Sequence, residues 1–257
     1  MKPELDIQVS NIAYRFQPES SFNLAIGDLK HRFDGALGMY GLSGSGKTTF
    51  SKILAGIVKP QIGDLHFSFK NGAVEPPKIL YSPQFPEKIF LGVRVSDTVQ
   101  QIVAQNPLKT DLHEHINFYL DLFLMSYDSI KAKCGFELSG GELRRFAISL
   151  SLAMSPDLLI LDEPTIGMGH KGKNQLYSVL EDFQRQHHVL IVSHDFELIR
   201  KTCKHFWILH RGSLIFNGNL IELDSQHDIK KQVGIHLFEM YFHRSIRQLR
   251  GQRNFKK

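Results

Sequence analysis

Two cysteines in 257 residues are too few for a disulfide framework, and Cys134 and Cys203 do not show the paired spacing of a zinc site. We therefore expect free thiols and a reduced, cytoplasmic setting. No uninterrupted apolar run approaches the ~20 residues of a membrane span. The best candidate, near Leu158, is cut by Pro156, Asp157 and Asp162. The opening MKPELDIQVS has no apolar core of the signal-peptide kind. What remains is a chain expected to fold around an ordinary hydrophobic core, and its 42% apolar and 22% charged residues are the proportions for one. At this length one large domain, or one domain with a sub-domain, is expected.

Net positive charge is scarce except at one end. The total is +5, yet residues 227–257 carry Lys230, Lys231, Arg244, Arg247, Arg250, Arg253, Lys256 and Lys257 against only Asp228 and Glu239. The body is nearly neutral. We read residues 1–225 as a single domain and 226–257 as a basic, helical C-terminal tail, solvated rather than anchored to nucleic acid.

Alternation of Leu5, Ile7 and Val9, carried on by Tyr14 and Phe16 towards Pro18, predicts a half-buried strand. Phe22, Leu24 and Ile26 predict a second strand antiparallel to it. Residues 36–40 form a short apolar strand that runs into Gly41-Leu42-Ser43-Gly44-Ser45-Gly46-Lys47-Thr48-Thr49, the pattern GxxxxGK[ST] in a strand–loop–helix setting. Glycines let backbone N–H groups curl around phosphate oxygens where a Cβ would obstruct. The helix that follows, through Ala55, points its N-terminus at the same anion. Lys47 is expected to reach the β- and γ-phosphates, and the Thr48 hydroxyl to bind Mg²⁺. Strands are predicted over 65–69 and 79–81, separated by an Asn71-Gly72 turn. Gln84, in the loop after the second, is a candidate sensor of Mg²⁺ or water. Residues 95–125 switch to helical spacing, within an inserted helical sub-domain of about 91–155.

The run LSGGELRRFAISLSLAMSPDLLILDEPTIGMG, residues 138–169, organises the rest. A polar turn containing Ser139, Gly140, Gly141 and Glu142 precedes an amphipathic helix with Phe146, Ile148, Leu150, Leu152 and Met154 as its apolar positions. Pro156 stops that helix. An apolar strand, 158–161, then ends on Asp162 and Glu163. Such a strand delivers charge to the carboxyl edge of a parallel sheet, where acids hold a metal or polarise water. A helix over 171–186 follows, then a solvated turn at His187 and His188, and a buried strand ending beside His194 at the same edge. Two last strands cover 206–209 and 213–216. Alternating strands and helices make this an α/β fold with a largely parallel sheet.

Over roughly residues 5–225 the chain resembles the ATP-binding subunits of ABC transporters: the P-loop, LSGGE, LLILDE and SHD segments occur in the family's order and spacing. The run QFPEKIF, with Gln84, Phe85, Pro86, Glu87, Ile89 and Phe90, is similar to the QxPExQxF-type segment of energy-coupling-factor (ECF) importers of vitamins and metal ions. It is one residue shorter and lacks the second glutamine. The resemblance implies a P-loop NTPase core with an N-terminal antiparallel β sub-domain and an inserted α-helical one, acting on ATP with Mg²⁺. By resemblance, Asp162 supports Mg²⁺ largely through water, and Glu163 is the general base. His194 contacts the γ-phosphate, Gln84 completes the metal and water shell, and Phe16 stacks on adenine. Ser139 and Gly141, with Gly140 and Glu142 in the same signature, would grip the ATP of an opposite subunit. A second ATPase, identical or not, and transmembrane coupling subunits are implied at the cytoplasmic face of the membrane, with no nucleic acid. One position departs from the family: PTxGLD becomes Pro164-Thr165-Ile166-Gly167-Met168-Gly169, so glycine replaces the aspartate that links the two ATP sites. Two rival readings are a soluble ABC ATPase acting on nucleic acid or ribosomes, and a non-hydrolysing regulatory partner.

Overall fold

The computed structural model describes residues 4–17, 22–70, 75–86, 90, 92–106 and 110–235. The Asn71-Gly72 turn, residues 87–89 of QFPEKIF and the tail beyond Ile235 lie outside them. Three apolar strands, β4 (Ala36–Tyr40), β7 (Leu158–Asp162) and β8 (His188–Ser193), are buried along their whole length. Unbroken apolar strands of this kind belong in the middle of a parallel sheet covered on both faces. Accordingly β4 lies parallel between β8 and β9 (His205–His210), and β7 lies parallel between β8 and β6 (Ile79–Ser82).

The sheet runs β3 (Leu29–Phe33), β1 (Leu5–Tyr14), β2 (Leu24–Ile26), β10 (Ser213–Asn219), β9, β4, β8, β7, β6, with β5 (Ile62–Phe69) also paired to β1. β1 is antiparallel to β2, β3 and β5. β10 is antiparallel to β9 and meets β2 in parallel at Ser213 and Ala25, so the antiparallel strands continue the core sheet. β3 has no sequence-level strand signal because a histidine, His31, takes the middle inward position between Leu29 and Phe33.

Alternation along the central strands divides the interior in two. Leu158, Ile160, Leu190 and Val192 pack with Phe50, Ile53 and Leu54 of α1 (Lys47–Leu54) and with β1–β3. Leu159, Leu161, Val189 and Ile191 pack on the opposite side. That side is closed by α2 (Val95–Gln105), α3 (Leu112–Leu122), α4 (Tyr127–Ile130) and α5 (Gly140–Ala153), which all lie between β6 and β7. It is also closed by α6 (His170–Phe183) and α7 (Phe196–Thr202). Each fully buried Leu, Ile or Phe contributes about 1.5–3 kcal/mol over exposure. Close approach of α7 to β4 depends on Gly38, where a Cβ would lie 2.5 Å from Ile199 Cγ2 and 3.0 Å from Phe206 Cβ.

Four expectations need correction. α5, expected to bury one amphipathic face, is buried more widely: besides Phe146, Ile148, Leu150 and Leu152, the residues Leu143, Arg144, Ala147 and Ser149 are buried, which takes in every side of the helix. Met154 caps its end. His187 and His188 do not form a solvated turn. His188 is a buried member of β8, while His187 stacks on Phe183 at 4.4 Å with Nδ1 3.0 Å from the Pro156 carbonyl. Phe22 precedes β2 rather than belonging to it, and β1 ends at Tyr14, short of Phe16. The short α7 has no counterpart in the sequence reading.

After β10 come α8 (Leu220–Asp224) and α9 (His227–Gln232). The chain then packs against the body as far as Ile235, with the Tyr40 hydroxyl donating to the Val233 carbonyl at 3.2 Å. Register fixes what matters for chemistry. Tyr40 pairs with Ser193, Asp162 with Val192, and Ser82 with Leu161. Gly41, Gln84, Glu163 and His194 therefore emerge from strand ends at one edge of the sheet.

Candidate active site

The loop after β4 turns into α1 through Gly46, which caps the helix with φ at +101°. A side chain there is excluded twice: the left-handed backbone favours glycine, and a Cβ would lie 2.9 Å from Phe22 Cζ and 3.0 Å from Leu24 Cδ1. No side chain caps α1 and no acid lies in its first turn, so its leading N–H groups and helix dipole suit an anion. Lys47 folds back over the loop, donating from Nζ to the carbonyls of Gly41 at 2.6 Å and Leu42 at 3.2 Å, and it lies 3.9 Å from Glu163 Oε1. Burial holds its ammonium below the ordinary lysine range, with Glu163 and Asp162 opposing.

Glu163 sits immediately beyond β7 with φ at +51°, a left-handed conformation unusual for a side chain of its size. Strain of this sort costs on the order of 1–3 kcal/mol and persists only where neighbours over-determine it. Here they do. Its N–H donates to the Val192 carbonyl at 2.8 Å, the Ser193 hydroxyl donates to Oε2 at 2.9 Å, and the His194 N–H donates to Oε1 at 2.8 Å. His194 Nδ1 also lies 2.8 Å from Oε1, and since a carboxylate only accepts, that ring nitrogen carries the proton. The His194 side chain is 57% exposed while Glu163 is 7%, so an anchored carboxylate stands beside an accessible imidazole.

Asp162, at the end of β7, is buried, and burial raises its carboxyl above the ordinary aspartate range; hydrogen bonds from Thr48 and Tyr81 oppose the shift. The Tyr81 hydroxyl donates to Oδ2 at 2.9 Å, and burial followed by the Asp162 charge pushes the phenol well above the usual tyrosine range. Asp162 Oδ1 is buried and has no hydrogen-bond partner among the described residues. An oxygen in that condition beside Thr48 fits a hydrated cation. Among the described residues no group of three or more His, Cys, Asp or Glu could hold a metal. Mg²⁺ is ordinarily bound by one or two side chains together with substrate phosphates, so the donor set fits that metal.

One cavity of about 580 Å³ unites the loop, Lys47, Thr48, Glu163 and His194. The loop from Ser43 through Thr49 lines it together with Glu163, His194, Gln84, Phe16 and Phe22. Phe16 is 62% exposed and edge-on to Tyr14 at 5.2 Å, so a ring face remains open to stacking. Gly41 does not line the cavity, and its carbonyl accepts from Lys47 Nζ. Phe22, Tyr81 and Ser193 were not singled out from the sequence. Phe22 carries no motif, Tyr81 reads as an ordinary strand residue, and Ser193 is overshadowed by its histidine neighbour.

Ser139, Gly140, Gly141 and Glu142 do not line this cavity. Ser139 caps α5 in a reciprocal box with Glu142: its N–H and hydroxyl donate to Glu142 Oε2 at 2.8 and 2.6 Å, while the Glu142 N–H returns to Ser139 Oγ at 3.3 Å. Ser139 and Gly140 are exposed. Gly169 caps α6 with φ at −68°, without a side-chain hydrogen bond.

Residues 28–166 match the ABC transporter family model. The energy-coupling factor transporter ATP-binding protein EcfA2 of Thermotoga maritima is 31% identical over 225 residues, covering 86% of this chain and 85% of that protein. Its counterpart in Clostridium tetani is 27% identical over 263 residues, covering 95% of this chain and 90% of that protein. Among solved structures, one described as the ATP-binding subunit of an ABC transporter superposes with a TM-score of 0.72 at 19% identity, covering 91% of this chain and 98% of its own, which speaks to the fold. No helix among the described residues is long and apolar enough to cross a membrane. With the matched segment running from the strands before the P-loop past Glu163, and with a relative this similar along most of its length, the chain belongs to the ABC transporter family of ATP-binding proteins, whose members are ATPases.

Proposed function

We propose that this chain is the ATP-hydrolysing motor subunit of an ECF-type importer, binding Mg²⁺–ATP in the cavity beside α1 and working at the cytoplasmic face of a membrane through membrane partners. The observation that carries the reading is the meeting of phosphate loop, anchored carboxylate, imidazole and open aromatic ring in one cavity. Phosphoryl transfer to water needs mostly positioning and charge stabilisation. The loop N–H groups and Lys47 hold the phosphates, and Phe16 stacks on the base. Glu163 accepts the proton of the attacking water, and His194, fixed through Nδ1, presents its other face to the γ-phosphate. Gln84 completes the water shell. Thr48 and Asp162 would hold Mg²⁺, which neutralises charge on the phosphate oxygens when bound.

The signature at the head of α5 lies outside this chain's own cavity, with Ser139 and Gly140 exposed. That arrangement supports a head-to-tail pair in which each subunit's α5 grips the other's ATP, so that closure depends on nucleotide. Hydrolysis then releases the pair and moves the membrane subunits. Gly169 supports pairing with a non-identical ATPase that supplies the missing aspartate.

The test compares two variants for nucleotide binding and for dimerisation by light scattering. Lys47→Ala is expected to lose ATP binding by about 10²–10³-fold, the usual effect of removing a preorganised electrostatic donor. Glu163→Gln is expected to bind ATP, stop hydrolysing it and accumulate as a closed pair once its partner ATPase is present. Unimpaired hydrolysis by Glu163→Gln would refute the assignment of the base.

A further inference from the structure

Tyr81 stands on β6 opposite Ile160 of β7. In a parallel ladder the residue two positions along shares the face of Ile160, so Asp162 and Tyr81 rise on the same side of the sheet. Their contact is direct, with the phenol oxygen 2.9 Å from Asp162 Oδ2. The aspartate is 1% exposed, and the partnerless oxygen is the other one, Oδ1. The carboxylate thus has one oxygen tied by a neutral donor and one left with its lone pairs unassigned, beside the Thr48 side chain that also acts on it. A neutral donor matters here. An arginine or lysine in the same place would cancel the charge that attracts a cation, whereas a phenol fixes the carboxylate plane and leaves its charge in place.

Resting on the Mg²⁺–ATP reading above, we propose that Tyr81 is a positioning residue for metal binding: its hydroxyl locks Oδ2 of Asp162 and so presents Oδ1 to Mg²⁺ or to the water that Mg²⁺ carries. Partners that orient a metal-binding group in this way typically change metal affinity by 10–100-fold when removed. Gln84 begins the loop two residues beyond the end of the same strand. One short edge strand therefore carries Tyr81, bonded to Asp162, and leads to Gln84, which lines the cavity, and only the second has a motif to mark it.

The experiment titrates Mg²⁺ into the full chain with a fixed concentration of a hydrolysis-resistant fluorescent ATP analogue, alongside a control in EDTA. In Tyr81→Phe, the Mg²⁺ concentration giving half-maximal enhancement of binding should rise about tenfold. Binding in EDTA and the unfolding temperature in EDTA should match the parent, which a merely structural role for the hydroxyl would not produce. Tyr81→Met, similar in bulk and equally without a hydroxyl, should show the same shift and carries the test if the phenylalanine variant does not fold. Mg²⁺ curves that superimpose on the parent's would overturn the role of Tyr81 while leaving the metal reading intact. A parent chain that binds the analogue equally in Mg²⁺ and EDTA would overturn both.

Discussion

Ser193 Oγ accepts the Asp195 N–H at 3.0 Å, so its single proton is committed to Glu163 Oε2, 2.9 Å away. The hydroxyl is wholly buried and cannot turn to water instead. Asp195 in turn caps α7 through the N–H groups of Glu197 and Leu198 and pairs with Lys173 of α6 at 3.1 Å. The carboxylate assigned as the base is therefore braced by two helices that flank it, through one serine.

Ser193→Ala removes that brace. Hydrogen bonds to charged groups are worth about 1.5–3 kcal/mol, so turnover should fall by roughly tenfold or more with little change in KM for ATP, because Lys47 and the loop are untouched. Ser193→Thr keeps the hydroxyl and should restore most of the rate. Steady-state kinetics of the assembled complex separate the two, and a KM effect without a kcat effect would contradict the bracing role.

Gly169→Asp should be structurally benign and functionally visible. The backbone at φ −68° suits any residue, and no atom lies within 4 Å of a Cβ built there. An aspartate cap outranks glycine by a few tenths of a kcal/mol, so the unfolding temperature should hold or rise by about 1 °C. If the glycine weakens cross-talk between ATP sites, the variant should raise the Hill coefficient for ATP. An unchanged coefficient would place coupling elsewhere.

Gly38→Ala tests the seam between β4 and α7. Its methyl would strike Ile199 and Phe206, both buried and unable to swing away. Overpacking of this kind costs about 1–3 kcal/mol, which corresponds to a fall of roughly 2–10 °C in unfolding temperature. Ile199→Ala is destabilising alone, yet the double variant should lose less than the sum, since one change makes room for the other. Calorimetry on the four proteins completes the cycle.

His31 gives the fold a pH dependence away from the cavity. Burial first, and the neighbouring His205 second, lower its imidazole from 6.5 to about 4, with Asp6 opposing; the ring packs edge-on to Phe33 and Trp207. Between those values the unfolded chain binds a proton there that the folded chain does not, so stability falls as pH drops from 6.5 towards 4 and is fully kept above 6.5. At 1.36 kcal/mol per unit the ceiling is about 3 kcal/mol, reduced by the ring's partial exposure. Denaturant melts at pH 7 and pH 5 should show a smaller difference for His31→Leu than for the parent.

The parts of the site legible in the sequence are those whose chemistry is local. A phosphate loop must be contiguous, because consecutive N–H groups and one lysine act on one anion. An apolar strand ending on Asp162 and Glu163 shows both its burial and its cargo in a few letters. The parallel core could be anticipated for the same reason, since a strand buried on both faces has to be apolar throughout, whereas the order of its strands could not. β3 escaped because His31 fills an apolar residue's place, and the full burial of α5 escaped because Arg144 and Ser149, buried in the fold, are polar residue types.

Tertiary structure alone decided who stands beside whom. Tyr81 reaches Asp162 across 81 residues of chain and Ser193 reaches Glu163 across 30, and nothing in either local sequence marks a partner that register between neighbouring strands selects. The same holds for Gly38, where a side chain would meet Ile199 of α7, a helix distant along the chain. Sequence named the groups proposed to carry the chemistry, since each is defined by its own residue type and immediate neighbours. Folding supplied the donors that orient them, because a hydrogen bond is set by distance in space and separation along the chain leaves no trace of it.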